Sequence, residues 1–394
     1  MDTFFLPLLI SLLILAAFLR DDFIFSLVYM FAGAYALSRW WSHRALSEIR
    51  VERHLAKKAF IGEEIPVALE VTNNGILPIV WARIHDSLPV ELSTPNFFRR
   101  VVSFGPYERV RFEYSLLARK RGYYPIGPLL VNSGDILGLG DQSKRESHCD
   151  YLTIFPKIIP LSKIIIPSHS PMGSMRHKQP IFEDPNRVMG KRDYVAGDSL
   201  RQVDWKTTAT IGRLVVKQFE PSISMDVVIY LNLNNLEYES KTRYTITELA
   251  IVVSASLANW VIQHRQSLGL VTNGFDPLSE GKSQSIPSHK GRGQLLRILD
   301  LLARVQPGDV EPFVDLLQRT SPHLSWGTTL LIISAQADEV LLDILFQAYR
   351  RGQTVLLVLC GPVRGFEEIQ HKAKYYRFPI YNIQNERDMD IWRL

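Results

Sequence analysis

Cysteine is almost absent from this chain, with only Cys149 and Cys360 among 394 residues. Two thiols in segments that read as different domains make no disulfide framework and suit a reducing compartment. The histidines show no metal-ligand spacing of the His-x-x-x-His kind. No basic run is interleaved with the stacking aromatics that a nucleic-acid groove needs. Phosphate loops are missing as well. Gly281, Lys282 and Ser283 imitate the end of one, but Asp276 occupies the earlier glycine position and Pro287 follows where a helix should begin. No glycine-rich turn follows the apolar run ending at Leu231, which argues against a dinucleotide site. His148 and Cys149 read as neighbours in a strand and so point to opposite faces, not toward each other as base and nucleophile. No cofactor and no nucleic acid are expected, and the balance is against an enzyme.

Charge is what the start of the chain lacks. Thr3 to Leu19 is seventeen residues without a charge, Arg20, Asp21 and Asp22 interrupt, and Phe23 to Ser38 adds sixteen more. Each run is at the short end of the roughly twenty residues that cross a membrane, and Trp40 and Trp41 extend the second into an interfacial aromatic belt. The expectation is a transmembrane helical hairpin over 1–44. A cleaved signal peptide is disfavoured, because no Lys or Arg precedes the first run and a second follows at once. Arg39, Arg44, Arg50, Arg53, Lys57 and Lys58 follow the second run, whereas the hairpin tip has one Arg beside two Asp. Basic residues mark the cytoplasmic flank, so the bulk of the chain is placed in the cytoplasm. The net charge of +5 lies wholly after the hairpin, where an anionic leaflet accounts for it without nucleic acid.

From 45 to 160 the pattern shortens into alternating runs, at Ile65 to Val71, Ile79 to Ile84, Arg109 to Leu117 and Tyr123 to Val131, with turn residues between them. That spacing predicts an all-β, sandwich-like domain. Prolines at 156, 160, 167, 171 and 180 mark a linker over 161–190. From 223 to 394 apolar strands alternate with helical spacing. Met225 to Leu231, Leu268 to Thr272, Thr329 to Ser334, Thr354 to Cys360 and Pro379 to Ile383 read as strands. Thr242 to His264, Gln294 to Val305, Val310 to Arg319 and Asp338 to Tyr349 read as helices. Such alternation implies an α/β domain with a mainly parallel sheet.

The segment 191–222 is different in kind, since it packs charges, aromatics and glycines where a plain element would be periodic. Gly197 and Asp198 read as a turn. Arg201, Asp204 and Lys206 follow at spacings that let a short helical turn bring opposite charges together, and Arg201 with Asp204 is expected as a buried pair. Tyr194, Gly197, Asp198, Arg201, the triplet Asp204, Trp205 and Lys206, and the later Phe219 and Glu220 resemble the hallmark of the bacterial family called domain of unknown function 58. Glu183, Asp184, Pro185, Arg187, Gly190 and Arg192 ahead of it resemble the family too, as do Arg121, Gly122, Tyr123 and Tyr124, and Asp135, Gly138 and Leu139. Thr210 departs from it, standing where members often carry an Arg.

The resemblance implies that the α/β domain is of the von Willebrand factor type A kind, and that the membrane is the bacterial inner membrane. Domains of that kind often hold a divalent metal with an Asp-x-Ser-x-Ser group and a later Asp. The matching positions here are Asn232, Asn234 and Leu236, with Ser334 and Ala335 at the later strand end, so the site reads as degenerate and no metal is expected. The resemblance also implies a protein partner, a MoxR-type AAA+ ATPase, acting in envelope assembly or stress. Three functions stay open: a membrane-anchored, cytoplasm-facing adaptor gripping its partner through Tyr194, Arg201, Trp205 and Lys206; an enzyme whose polar site is the Asp198, Arg201, Asp204 and Lys206 cluster; and a scaffold in which the motif is an interdomain latch.

Overall fold

The computed structural model describes residues 2–19, 22–134, 141–146, 149–161, 183–196, 198–221, 226–279 and 284–392. Its contacts divide the chain into one unit of residues 1–157 with 299–304 and another of residues 158–298 with 305–394.

The first unit opens with two consecutive apolar helices, α1 (Asp2–Leu19) and α2 (Asp22–Ser47). Strands β1 (Ile49–Leu55), β2 (Lys58–Phe60), β3 (Glu64–Asn73), β4 (Ile79–Ser87) and β5 (Phe97–Phe104) follow, then β6 (Arg109–Leu117), β7 (Gly122–Ile126), β8 (Leu129–Gly134), β9 (Asp141–Glu146) and β10 (Asp150–Phe155). They form sheets of order β1-β3-β6, β5-β4-β8-β9 and β2-β10-β7. Alternation drives this architecture: in β3 every second residue from Ile65 to Asn73 is buried, so one face is core and the other is wet. The single run expected over Tyr123 to Val131 is two strands, because Gly127 at a φ of 108° and the N–H-less Pro128 break the ladder.

Helix α2 extends three residues past Arg44, and its last turns belong to the β-domain. Ala45 and Leu46 pack with Leu69, Val71, Ile79, Ala82, Ile84 and Phe104 in one core, with Trp41 against its edge. Trp41 is tied to this domain, its indole Nε1 donating to the Pro78 carbonyl at 3.0 Å, while Trp40 stays 59% exposed.

In the second unit β11 (Glu183–Asp193) pairs antiparallel with β12 (Val215–Pro221) around the short helix α3 (Trp205–Ile211), so ordered strand begins inside the span expected as linker. Next come β13 (Asp226–Leu231), α4 (Arg243–Gln263), β14 (Ser267–Thr272), β15 (Gln284–His289), α5 (Arg292–Arg304), α6 (Phe313–Thr320), β16 (Thr329–Ser334), α7 (Glu339–Arg350), β17 (Thr354–Cys360), α8 (Phe366–Tyr375) and β18 (Ile380–Ile383). The sheet order is β15-β14-β13-β16-β17-β18, with all neighbours parallel except the edge pair β14 and β15. Strands β14, β16 and β17 are buried at every residue, as parallel strands covered on both faces must be.

Among the described residues, two helices are long and apolar enough to cross a membrane. For α4 the apolar window is 83% buried, which makes it a core helix, whereas only 11% of the α2 window is covered.

Candidate functional site

The motif residues form a small module of their own. Asp204 is the N-cap of α3, its Oδ1 accepting from the Thr207 N–H at 3.2 Å, and Gly212 ends the helix in the left-handed conformation that favours glycine. Val215 N–H donates to Thr208 Oγ1 at 3.1 Å, and Val203, Val215 and Val216 are buried beneath. Three ion pairs among the described residues tie the module to β11, one of them between the exposed Arg213 and Asp193 at 3.2 Å. Lys191 Nζ lies 2.8 Å from Asp204 Oδ2, and Arg192 grips Asp198 with two bonds of 2.7 Å in the fork geometry that suits guanidinium and carboxylate. Asp198 also accepts from the Val195 N–H at 2.9 Å.

These donors set the charge state. The Arg192 guanidinium and then the Val195 amide hold the Asp198 carboxyl below the usual carboxylate range. Lys191, followed by the Thr207 amide, holds Asp204 well below it. Both carboxylates are ionised throughout the neutral range.

The expected Arg201 to Asp204 pair is not formed. The α3 cap turns the Asp204 carboxylate toward β11, where Lys191 meets it, and Arg201 stands on the preceding 3-10 turn with its side chain in solvent. Lys206 and Trp205 are exposed as well, Trp205 at 64%, and Tyr194 is half-buried. Val195, Leu200, Ile211 and Leu214 on the same module are also exposed apolar residues. Gly197 lies outside the described residues, as do the side chains of Phe219 and Glu220. The motif thus brings Arg192, Asp198, Asp204 and Lys191 into a frame and leaves an aromatic, aliphatic and basic surface on it.

A second polar cluster lies at the carboxyl ends of β13 and β16, where the strand order reverses and open α/β sheets have their crevice. Asn232 Nδ2 donates to Glu237 Oε2 at 2.6 Å and to Ser334 Oγ at 3.0 Å, and Asn234 Nδ2 donates to Glu237 Oε1 at 3.2 Å. Glu237 Oε1 also accepts from the Phe313 N–H at 3.0 Å. Asn273 Nδ2 and the Asn234 N–H both donate to Asn232 Oδ1, and the Leu236 N–H donates to Asn234 Oδ1. A carboxylate only accepts, which fixes both amide nitrogens toward it. The side-chain oxygens of Asn232, Asn234, Glu237 and Ser334 each accept an N–H in this arrangement, so the cluster closes on itself. Sequence matching placed Leu236 at the third position and saw no carboxylate; the 3-10 turn Asn235–Glu237 brings the next side chain back instead.

A third cluster escaped the sequence altogether. In the β-domain Arg53, with a 5% exposed side chain, donates Nε and Nη2 to Asp86 at 3.1 and 2.7 Å and Nη1 to Asp150 at 2.6 Å. Tyr114 OH donates to Asp86 at 2.7 Å. Burial, then the Asp86 charge, pushes the Tyr114 hydroxyl far above its ordinary range. Burial alone would lower the Arg53 value, but the two carboxylates outweigh it and raise it. A cleft of about 360 Å³ opens beside this cluster, lined by Arg50, Glu52, Lys144 and Glu146 among others. Of the pair His148 and Cys149, the histidine is outside the described residues and Cys149 lies between strands.

The chain is 26% identical over 230 residues to the uncharacterized protein YeaD of Bacillus subtilis (strain 168), an alignment covering 56% of this chain and 55% of that protein. The chain thus spans about half the length of the curated relative it matches. Among solved structures, a von Willebrand factor type A protein from Catenulispora acidiphila aligns at 12% identity and a TM-score of 0.30, over 45% of this chain and 43% of that one. Proximal thread matrix protein 1 from the mussel byssus aligns at 10% identity and 0.32, over 43% and 46%. Residues 190–358, which run from the end of β11 into β17 and include both the motif module and the Asn232 cluster, match the family described as protein of unknown function DUF58.

Proposed function

We propose that this protein is a membrane-anchored adaptor or scaffold that offers its motif module to a protein partner. The observation that carries the reading is the exposed set Trp205, Leu200, Val195, Arg201 and Lys206, mounted on a frame already held by the Lys191 to Asp204 and Arg192 to Asp198 pairs. Aromatic and Arg side chains anchor protein interfaces, and a frame ordered in advance spares the entropy of arranging them on binding. The α/β domain is taken as a von Willebrand factor type A-like body, and the partner as a MoxR-type AAA+ ATPase, as the family resemblance implies.

The anchor is α1 and α2 in the bacterial inner membrane, as a hairpin with the β-domain in the cytoplasm. Arg53 no longer counts toward this orientation, because it is consumed inside the β-domain, but Arg39, Arg44, Arg50, Lys57 and Lys58 remain on that flank. A periplasm-dependent phosphatase fused at Asp22 should be active and one fused after Ser47 inactive; the reverse pattern overturns the orientation. For the partner, a photo-crosslinking residue in place of Trp205 in native membranes should capture an AAA+ ATPase that the same residue in place of Lys374 does not. Capture of some other protein would refute the ATPase assignment, and equal yields from both positions would refute the surface.

A further inference from the structure

Taking the motif module as a partner surface, as proposed above, we infer that the segment it receives is acidic and partly apolar, a stretch of protein in which carboxylates flank hydrophobic side chains.

Charge on the module does not balance. Residues 190–217 carry six cations, Lys191, Arg192, Arg201, Lys206, Arg213 and Lys217, against three carboxylates, Asp193, Asp198 and Asp204. Each carboxylate already has a cation of its own: Arg213 for Asp193, Arg192 for Asp198 and Lys191 for Asp204. Arg201, Lys206 and Lys217 are left over, and none of the three meets a carboxylate among the described residues.

The pairing of β11 with β12 sharpens the imbalance. Lys217 stands directly opposite Lys191, so both side chains leave the same face of the ladder. Like charges directly opposite repel, and the carboxylate beside them, Asp204, is taken by Lys191 at 2.8 Å. An acidic group brought in beside Lys217 relieves that repulsion. Lys206 follows Asp204 by two residues on α3 and Arg201 precedes it by three, so all three spare cations lie close to the Lys191 to Asp204 contact in sequence or across the ladder.

The apolar share comes from Val195, Leu200, Trp205, Ile211 and Leu214, which are 40% to 64% exposed. An occupant gains from covering them only if it brings apolar surface of its own. A nucleic acid or an anionic bilayer presents negative charge throughout. Asp193, with a side chain 61% exposed, repels such a surface, whereas a protein segment can set its carboxylates opposite Arg201, Lys206 and Lys217 and leave Asp193 to Arg213.

The test keeps the full chain in native membranes, with a photo-crosslinking residue in place of Leu200 and Trp205 retained. One version also carries Arg201→Glu, Lys206→Glu and Lys217→Glu. A control carries Lys241→Glu, Arg364→Glu and Lys374→Glu, three exposed cations elsewhere in the second unit. The motif set should slow capture about tenfold or more, since complementary charge raises association rates by about 10- to 1,000-fold, and the control set should leave it unchanged. Glutamine at the same three motif positions should give an intermediate loss. If the glutamate set loses its protease resistance, the glutamine set decides the matter. The captured peptide, sequenced by mass spectrometry, should hold more Asp and Glu than Lys and Arg, and changing those acids to Lys should restore capture by the glutamate set. Equal capture by all versions, or a neutral or basic peptide, overturns the acidic partner while the surface stands. A lipid or nucleotide adduct in place of a peptide overturns it as well. If position 200, with the natural charges in place, captures no more than position 374 does, the surface itself is wrong and the inference falls with it.

Discussion

The β-domain and the motif module each hold a cluster of arginine or lysine with aspartate, and solvent separates their roles. In the β-domain, Arg53 and Asp86 are 5% and 0% exposed. In the module, Lys191 and Arg192 are 48% and 43% exposed opposite carboxylates at 12% and 17%. A buried charge that loses its partner has no water to replace it, so the first cluster is structural and intolerant. An exposed cation can turn to solvent, so the second shapes a surface without dominating stability. The motif that stands out in the sequence is thus the weaker of the two energetically, and its interest lies in what it displays.

The sharpest way to break this contrast is Asp86→Ala, which strands the Arg53 guanidinium and the Tyr114 hydroxyl. We expect a loss of about 3–5 kcal/mol, read as a lower urea midpoint at unchanged slope; a loss below about 1 kcal/mol would place Arg53 in the same class as Arg192. Next comes Glu237→Ala, which leaves the Asn232 and Asn234 amides and the Phe313 N–H without their acceptor. About 1–3 kcal/mol should go, with faster hydrogen exchange at Phe313; unchanged exchange would mean that the amides find other acceptors.

A smaller effect is expected from acid. Asp198 and Asp204 are held below their ordinary value of about 3.9 by their cationic partners. Groups with depressed folded values contribute stability that is complete above the unfolded value and drains away as pH falls through the folded one. The Val195 and Thr207 amides should therefore stay protected down to about pH 4 and open only below it; opening that begins well above pH 4 would contradict the pairing. The smallest change is Trp205→Ala. At 64% exposure it should leave stability within about 0.5 kcal/mol while abolishing crosslinks to the partner from neighbouring positions. A clear loss of stability instead would make Trp205 part of the frame.

What the sequence could show followed from periodicity. Arg109 to Leu117 alternates cleanly and is strand β6 over the same residues, and the apolar spacing from Ile246 to Val261 is helix α4. Where one face carries little hydrophobic load the signal fades. Helix α8 buries only Ala373, and β5 runs Phe-Phe-Arg-Arg-Val-Val without alternation, so neither was legible. The edge strand β15 was missed for another reason, since its alternate residues are only half-buried. In the sites, local chemistry was readable and pairing was not. The residues of the motif stood out, yet which cation meets Asp204 depends on the ladder between β11 and β12. Arg53 and Asp86 are 33 residues apart and meet only after strands form. Glu237 escaped because a 3-10 turn, not strand spacing, sets which side chain returns to Asn232.

The continuity of α2 into the β-domain core also limits how this protein can meet others. A domain on a flexible tether samples a volume that grows with linker length, and its effective concentration near any partner is diluted accordingly. Here Ala45 and Leu46 are core residues and only Glu48 stands between α2 and β1, so there is no tether to sample with. With α2 in a bilayer, the β-domain is left two translations in the plane and one rotation about the membrane normal. Encounters then become a two-dimensional search at one fixed height, in which a partner confined to the same surface meets the domain in a narrow range of orientations.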